Sequence, residues 1–192
     1  QQAKLYRLDA ATSSYIYDPT FTSTTRTSVA GKNINLPRDI AVGPDGKIYL
    51  LDSGNDRILV ADNANDNSWS VFYENLGLGN PYGFTIARDN TIYIADTDNH
   101  RIVQISAAAV LLRSIGHFGK NYVEFRSPKD VAIDVDNKIY VADAYNHRVQ
   151  ILKPNGTYYK TLGSAPLYAS IHKIEVDDQK HVYIIDSDNK NL

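Results

Sequence analysis

Short apolar runs, each bounded by Asp, Asn, Gly or Pro, recur along most of the chain. Ile40–Val42, Phe84–Ile86, Val131–Ile133 and Ile174–Val176 are brief and largely apolar, which predicts inner strands covered on both faces. A turn follows each of the first three: Pro44–Lys47 (PDGK), Arg88–Thr91 (RDNT) and Val135–Lys138 (VDNK). Asp-Gly and Asp-Asn supply the positive φ that a tight hairpin needs. Next come IYLLD, IYIAD, IYVAD and VYIID, rich in the β-branched and aromatic residues that favour strands. A second turn leads to RILVA, RIVQI or RVQIL, and a last run, SVFYE, LLRSIG or YYKTLG, completes a unit. Four strands therefore recur in the order a, b, c, d. The aspartates that end strand b are Asp52, Asp96, Asp143 and Asp186, spaced by 44, 47 and 43 residues.

A period in the forties with four short strands per unit predicts an all-β fold, a β-propeller with about four blades in this chain. The expected blades are 36–76, 80–116 and 127–163, with a partial blade at 170–192. Lys4–Asp9 (KLYRLD) and Ser14–Tyr17 (SYIY) read as strands c and d, so 1–17 belongs to a split or preceding blade. Those strands could complete the last unit and close a four-bladed ring; the expectation adopted is instead a window on a larger propeller. The Ser/Thr-rich stretch Thr20–Lys32 reads as a long loop.

Asp96–Arg101 (DTDNHR) and Asp143–Arg148 (DAYNHR), each behind a strand-a run, resemble the signature of the NHL repeat family. Asp52–Arg57 (DSGNDR) is a near match, and Asp186–Asn191 (DSDNKN) keeps the Asp and Asn without His and Arg. The resemblance covers 36–192 and implies a propeller usually of six blades.

Composition narrows the classes of function. Lys and Arg number 20 against 22 Asp and Glu, for a net charge of -2, which argues against a nucleic-acid binder. With no Cys, disulfides and thiolate metal sites are excluded. With no Met, the expectation is a processed product or an excised segment. The longest apolar stretch, Ala107–Leu112, is far too short to span a bilayer as a helix.

The D-x-x-N-H-R motif recurs from unit to unit, whereas a catalytic constellation would be unique. Asp52, Asp96, Asp143 and Asp186 are therefore assigned to the scaffold, each capping the turn that follows strand b. Asn99 and Asn146 are assigned to left-handed turn positions. Arg57, Arg101 and Arg148 are expected to reach the neighbouring blade, and His100 and His147 belong to the same scaffold.

The slot just before strand a behaves differently. Aligning the units places Arg38, Tyr82, Lys129 and His172 at equivalent positions, followed by Asp39, Gly83, Asp130 and Lys173. In a propeller these positions converge at one mouth of the central channel, and they vary where their neighbours do not. They are the candidate ligand-binding set, with anionic groups as the expected guests. The resemblance also brings the peptidyl-hydroxyglycine lyases, whose zinc-binding histidines occupy this slot; only His172 matches. No metal site and no cofactor is expected. Asn155-Gly156-Thr157 is a glycosylation sequon on a hairpin turn.

The leading expectation is a non-enzymatic interaction or scaffold module with a protein, peptide or small-molecule partner. It would sit in a larger extracellular or multidomain protein. The alternatives are a propeller enzyme of lyase or lactonase type and an RNA-binding NHL domain.

Overall fold

A computed structural model describes residues 6–9, 14–17, 28–62, 69–75, 77–163 and 170–186. Tyr6–Asp9 (β1) and Ser14–Tyr17 (β2) pair as a two-stranded antiparallel sheet. Ser28–Val29 (β3) and Lys32–Asn33 (β4) form a second small hairpin, so the end of the stretch expected to be a long loop is ordered strand. Three four-stranded antiparallel sheets follow. The first holds Pro37–Val42 (β5), Ile48–Asp52 (β6), Arg57–Ala61 (β7) and Ser70–Glu74 (β8). The second holds Phe84–Ile86 (β9), Ile92–Asp96 (β10), Arg101–Ile105 (β11) and Leu111–Ile115 (β12). The third holds Asp130–Ile133 (β13), Ile139–Asp143 (β14), Arg148–Leu152 (β15) and Tyr158–Leu162 (β16). Ile171–Val176 (β17) and Val182–Asp186 (β18) are strands a and b of the fourth unit.

Strand order within each full sheet is a-b-c-d, the meander of a propeller blade. The a–b hairpins carry the positive φ their sequence promised, at Gly46 (78°), Asn90 (62°) and Asn137 (61°). Strand b explains the packing. Its side chains alternate between two faces, and each face meets a different blade. In β10, Tyr93 and Ala95 join the cluster shared with the third blade, through Val131 and Val141. Ile92 and Ile94 join the cluster shared with the first, through Tyr49 and Leu51. All five residues of β6, β10 and β14 are consequently buried.

The two end units each expose a position that its repeat equivalents bury, on strand b in the fourth unit and on strand a in the first. Tyr49, Tyr93 and Tyr140 are at most 5% exposed, but their equivalent Tyr183 is 58% exposed. Ile40 is 43% exposed, where Phe84, Val131 and Ile174 are buried. The outward face of the first blade is partly covered by the β3–β4 hairpin, where Val29 packs on Leu50 and Leu59.

Candidate functional site

The D-x-x-N-H-R motif acts backward along the chain. Asp52 Oδ1 accepts the Asn35 N–H (2.6 Å), Asp96 Oδ1 that of Gly79 (2.6 Å) and Asp143 Oδ1 that of Arg126 (2.7 Å). These donors lie in the segment leading into strand a of the same unit. The aspartates therefore tie down that linker, and the short 3-10 turns after Asp52 and Asp143 have no side-chain cap. Asp186 keeps the same contact with the Ser170 N–H (2.8 Å), while the rest of its motif lies outside the described residues. The left-handed turn residue is not the Asn but the one after it: Asp56 (53°), His100 (57°) and His147 (56°). The Asn side chain is needed as a donor instead. Asn99 Nδ2 donates to Asp96 and to the Gly77 carbonyl, and Asn146 Nδ2 donates to Asp143 and to the Gly119 carbonyl.

The arginine completes a clamp. Arg57, Arg101 and Arg148 each donate from Nε to the Asp Oδ2 of their own unit, at 2.6, 2.6 and 2.8 Å. Their outer nitrogens hold the carbonyls of the segment arriving from the preceding strands: Val29 and Lys32, Gly77, and Asn121 and Glu124. His100 adds a tie in the other direction, its Nδ1 accepting the Ser127 N–H at 3.0 Å.

The channel mouth is built by a local irregularity shared by the units. In β5 the register with β6 shifts between Pro37 and Asp39, so Arg38 is an extra residue in a β-bulge. In β17 the shift between Ile171 and Lys173 makes His172 the extra residue. In the middle units the strand-b residue is likewise shared. Ala95 bonds both Tyr82 and Gly83, and Ala142 accepts from Lys129 while pairing with Asp130. A bulge breaks the strict alternation of side chains. Two consecutive residues per unit can then turn toward the axis. Strict alternation would instead turn Asp39 and Asp130 away from the channel if Arg38 and Lys129 faced it.

The four candidate residues do meet. Lys129 Nζ lies 2.8 Å from His172 Nε2, and Tyr82 Oη lies 3.5 Å from His172 Nδ1. An ammonium only donates, so His172 accepts at Nε2 and carries its proton on Nδ1, toward the tyrosine. Arg38 stacks over the Tyr82 ring (4.8 Å) and donates to Asn80 Oδ1 (3.0 Å); Lys129 Nζ is 5.4 Å from the same ring centre. Four blades thus contribute to one cationic-aromatic group.

One residue deeper, Lys173 Nζ reaches across the axis to Asp39 Oδ2 (2.9 Å) and approaches Asp130 Oδ2 (3.4 Å). Both carboxylates also staple adjacent blades: Asp39 accepts the Phe84 N–H (3.0 Å) and Asp130 the Ile174 N–H (2.9 Å). Asp39 and Asp130 therefore line the channel beneath the basic set. Burial pushes the Asp130 carboxyl up to about 7, against the pull of Lys173; the two carboxylates raise the Lys173 ammonium against its own burial. Gly83 makes room for this. A Cβ there would lie 2.2 Å from Asp130 Oδ1 and 2.8 Å from the Lys129 carbonyl. Gly83→Ala is expected to lose about 1–3 kcal/mol in urea unfolding through overpacking; an unchanged midpoint would show that the mouth yields freely.

The slot does not fit the zinc site of the lyases. A catalytic zinc takes about three protein ligands, yet Arg and Lys fill two positions and Lys129 already occupies His172 Nε2. Among the described residues no group of three or more His, Asp or Glu could hold a metal. Asn155, the sequon residue, is exposed, and its Oδ1 accepts both the N–H and the hydroxyl of Thr157 (3.0 and 2.7 Å). No helix among the described residues is long and apolar enough to cross a membrane.

This architecture is that of a repeat β-propeller, with antiparallel four-stranded blades around a channel. The repeats are of NHL type: the NHL repeat family matches residues 35–61, 78–105 and 125–152. No curated protein matches the chain by sequence. Among solved structures, a chain of the nidogen/laminin complex is similar at a TM-score of 0.68 and 18% identity, covering 95% of this chain and 64% of that one. Virginiamycin B lyase from Staphylococcus aureus is similar at 0.65 and 12% identity, covering 95% and 56%. A gluconolactonase from Xanthomonas campestris is similar at 0.63 and 13% identity, covering 79% and 54%. The chain thus spans between half and two thirds of the length of these proteins, and such identities define the fold alone.

Proposed function

We propose that this chain is a non-enzymatic interaction module that presents the channel mouth and its surrounding loops to a protein or peptide partner. One observation carries the reading. At four repeat-equivalent positions the chain varies its side chains and draws Arg38, Tyr82, Lys129 and His172 into a single contacting group. The bulged backbone at this slot makes no demand for these side chains, so recognition rather than folding can set their identity. The Asp-Arg clamps hold the linkers around them, which keeps the mouth preorganised and limits the ordering cost of binding.

The group has no Ser, Thr or carboxylate nucleophile, and its imidazole already contacts Lys129 and Tyr82. Purified protein is expected to hold substoichiometric metal and to turn over neither a peptidyl-hydroxyglycine nor a sugar lactone, with or without added zinc or calcium. Elemental analysis and product chromatography check both. Turnover that disappears in Tyr82→Phe or His172→Ala would replace the module with an enzyme.

A further inference from the structure

The two ends of the propeller differ in chemistry, and the difference points to a partner. One end carries the a–b hairpins, and its surface is charged and internally paired. Arg88 bridges to Asp178 (2.6 Å), and Lys138 and Lys180 both hold Asp136 (2.9 and 2.6 Å). Exposed apolar side chains occur at that end as well, at Val42 beside the first a–b hairpin and at Val110 and Leu111 in one c–d turn, but among the described residues no unpaired arginine accompanies them.

The other end carries the channel mouth, the b–c turns and the segments leading into strand a. It exposes Leu36 (62%), Phe118 (62%) and Tyr145 (56%). These are not scattered. Phe118 lies against His100 (4.9 Å between ring centres), and His100 bonds the Ser127 N–H. Arg126, the neighbour of Ser127, stacks over Tyr145 at 6.0 Å, and Tyr145 bonds the Arg126 carbonyl. Lys129, at the mouth, is three residues on. Three groups therefore share this end: Arg38, Tyr82 and Lys129 at the mouth, Arg126 on Tyr145, and Phe118 on His100, the last two joined through the Arg126-Ser127 backbone and forming with the first a cationic-aromatic track.

Arginine with exposed Tyr and Phe is the composition of recognition surfaces. The cations set its sign. Arg38 and Arg126 have aromatic rings and an amide as their side-chain partners, with no carboxylate in ion-pair range among the described residues. Of the carboxylates at this end, Asp39 and Asp130 are taken by Lys173 and by backbone N–H groups, and Asp98, exposed on the second b–c turn, makes no ion pair with Arg38 or Arg126.

We infer that this track binds an acidic polypeptide segment, with Asp or Glu carboxylates on Arg38 and Arg126 and apolar side chains on Tyr145 and Phe118. This rests on the interaction-module reading and gives its partner a chemistry. A nucleic acid is disfavoured because the chain carries a net charge of -2 and the cations lie among aromatics above a carboxylate layer, without the basic stripe a phosphate backbone needs.

The test uses a fluorescent peptide alternating Glu with Leu and Phe, its Gln-for-Glu counterpart and a single-stranded RNA of equal length. The acidic peptide is expected to bind at least about tenfold more tightly than the Gln peptide, with affinity falling as salt rises. Arg38→Ser and Arg126→Ser should each weaken it several-fold and together by about tenfold or more. Arg88→Ser, at the opposite end, should leave it unchanged. All variants are compared by thermal melting, and Arg126, being exposed, supplies a variant that leaves the fold intact. Equal binding of the two peptides, tighter binding of the RNA, or loss on Arg88→Ser would overturn the inference. Those failures leave the interaction-module reading standing, whereas only turnover in the preceding experiment removes that.

Discussion

Arg57→Ala is expected to unfold at a much lower urea concentration than the wild type, with a loss of about 3–5 kcal/mol. Arg57 and Asp52 are both 0% exposed, and Nε sits 2.6 Å from Oδ2. The guanidinium also holds the Val29 and Lys32 carbonyls, which fix the hairpin that covers the outward face of the first blade. Removing it leaves a buried carboxylate with, among the described residues, the Asn35 N–H and the Asn55 amide as its remaining long-range and side-chain partners. Arg101→Ala removes the same contact from the second blade, where the arginine side chain is 29% exposed and water can take its place. That variant, and Asp96→Ala, are expected to cost about 1–3 kcal/mol. Equal losses for Arg57 and Arg101 would show that burial does not grade the clamps. Loss of peptide binding with an unchanged unfolding midpoint would take the clamp out of the scaffold.

The second large effect is a pH dependence. Asp130 is fully buried, and its folded carboxyl is pushed from the ordinary 3.8 up to about 7. Between these values the native state keeps a proton that the unfolded chain has released. Stability from this group is therefore full below about pH 4 and is lost as pH rises toward 7, by up to about 4 kcal/mol. The groups facing it are the Lys173 ammonium, the Ile174 N–H and, more distantly, Asp39. Asp136 and Asp177 are lowered to about 2, so their contributions are lost below pH 4, outside this window. Urea unfolding at pH 4.5, 6 and 7.5 should show the fall in the wild type and a flatter profile in Asp130→Asn, which keeps an acceptor for Ile174. Identical profiles would mean that Lys173 keeps Asp130 ionised throughout.

What the sequence determined by itself was the repeat. Runs such as IYIAD, buried on both faces, and turns such as DNT and DNK fix strands and hairpins through local chemistry, and the 44, 47 and 43 residue spacings count the units. It also singled out Arg38, Tyr82, Lys129 and His172, because equivalent positions of successive blades must meet near one axis. Side-chain direction was decided elsewhere. The bulges at Arg38 and His172 arise from pairing with β6 and β18, and they turn two consecutive residues to the channel where an alternating strand would turn one. The cross-axis tie from Lys173 to Asp39 joins residues 134 positions apart, a distance over which no local pattern carries information. The motif aspartates likewise bond backward to Asn35, Gly79 and Arg126, because the linker passes over the end of strand b only once the blades have packed.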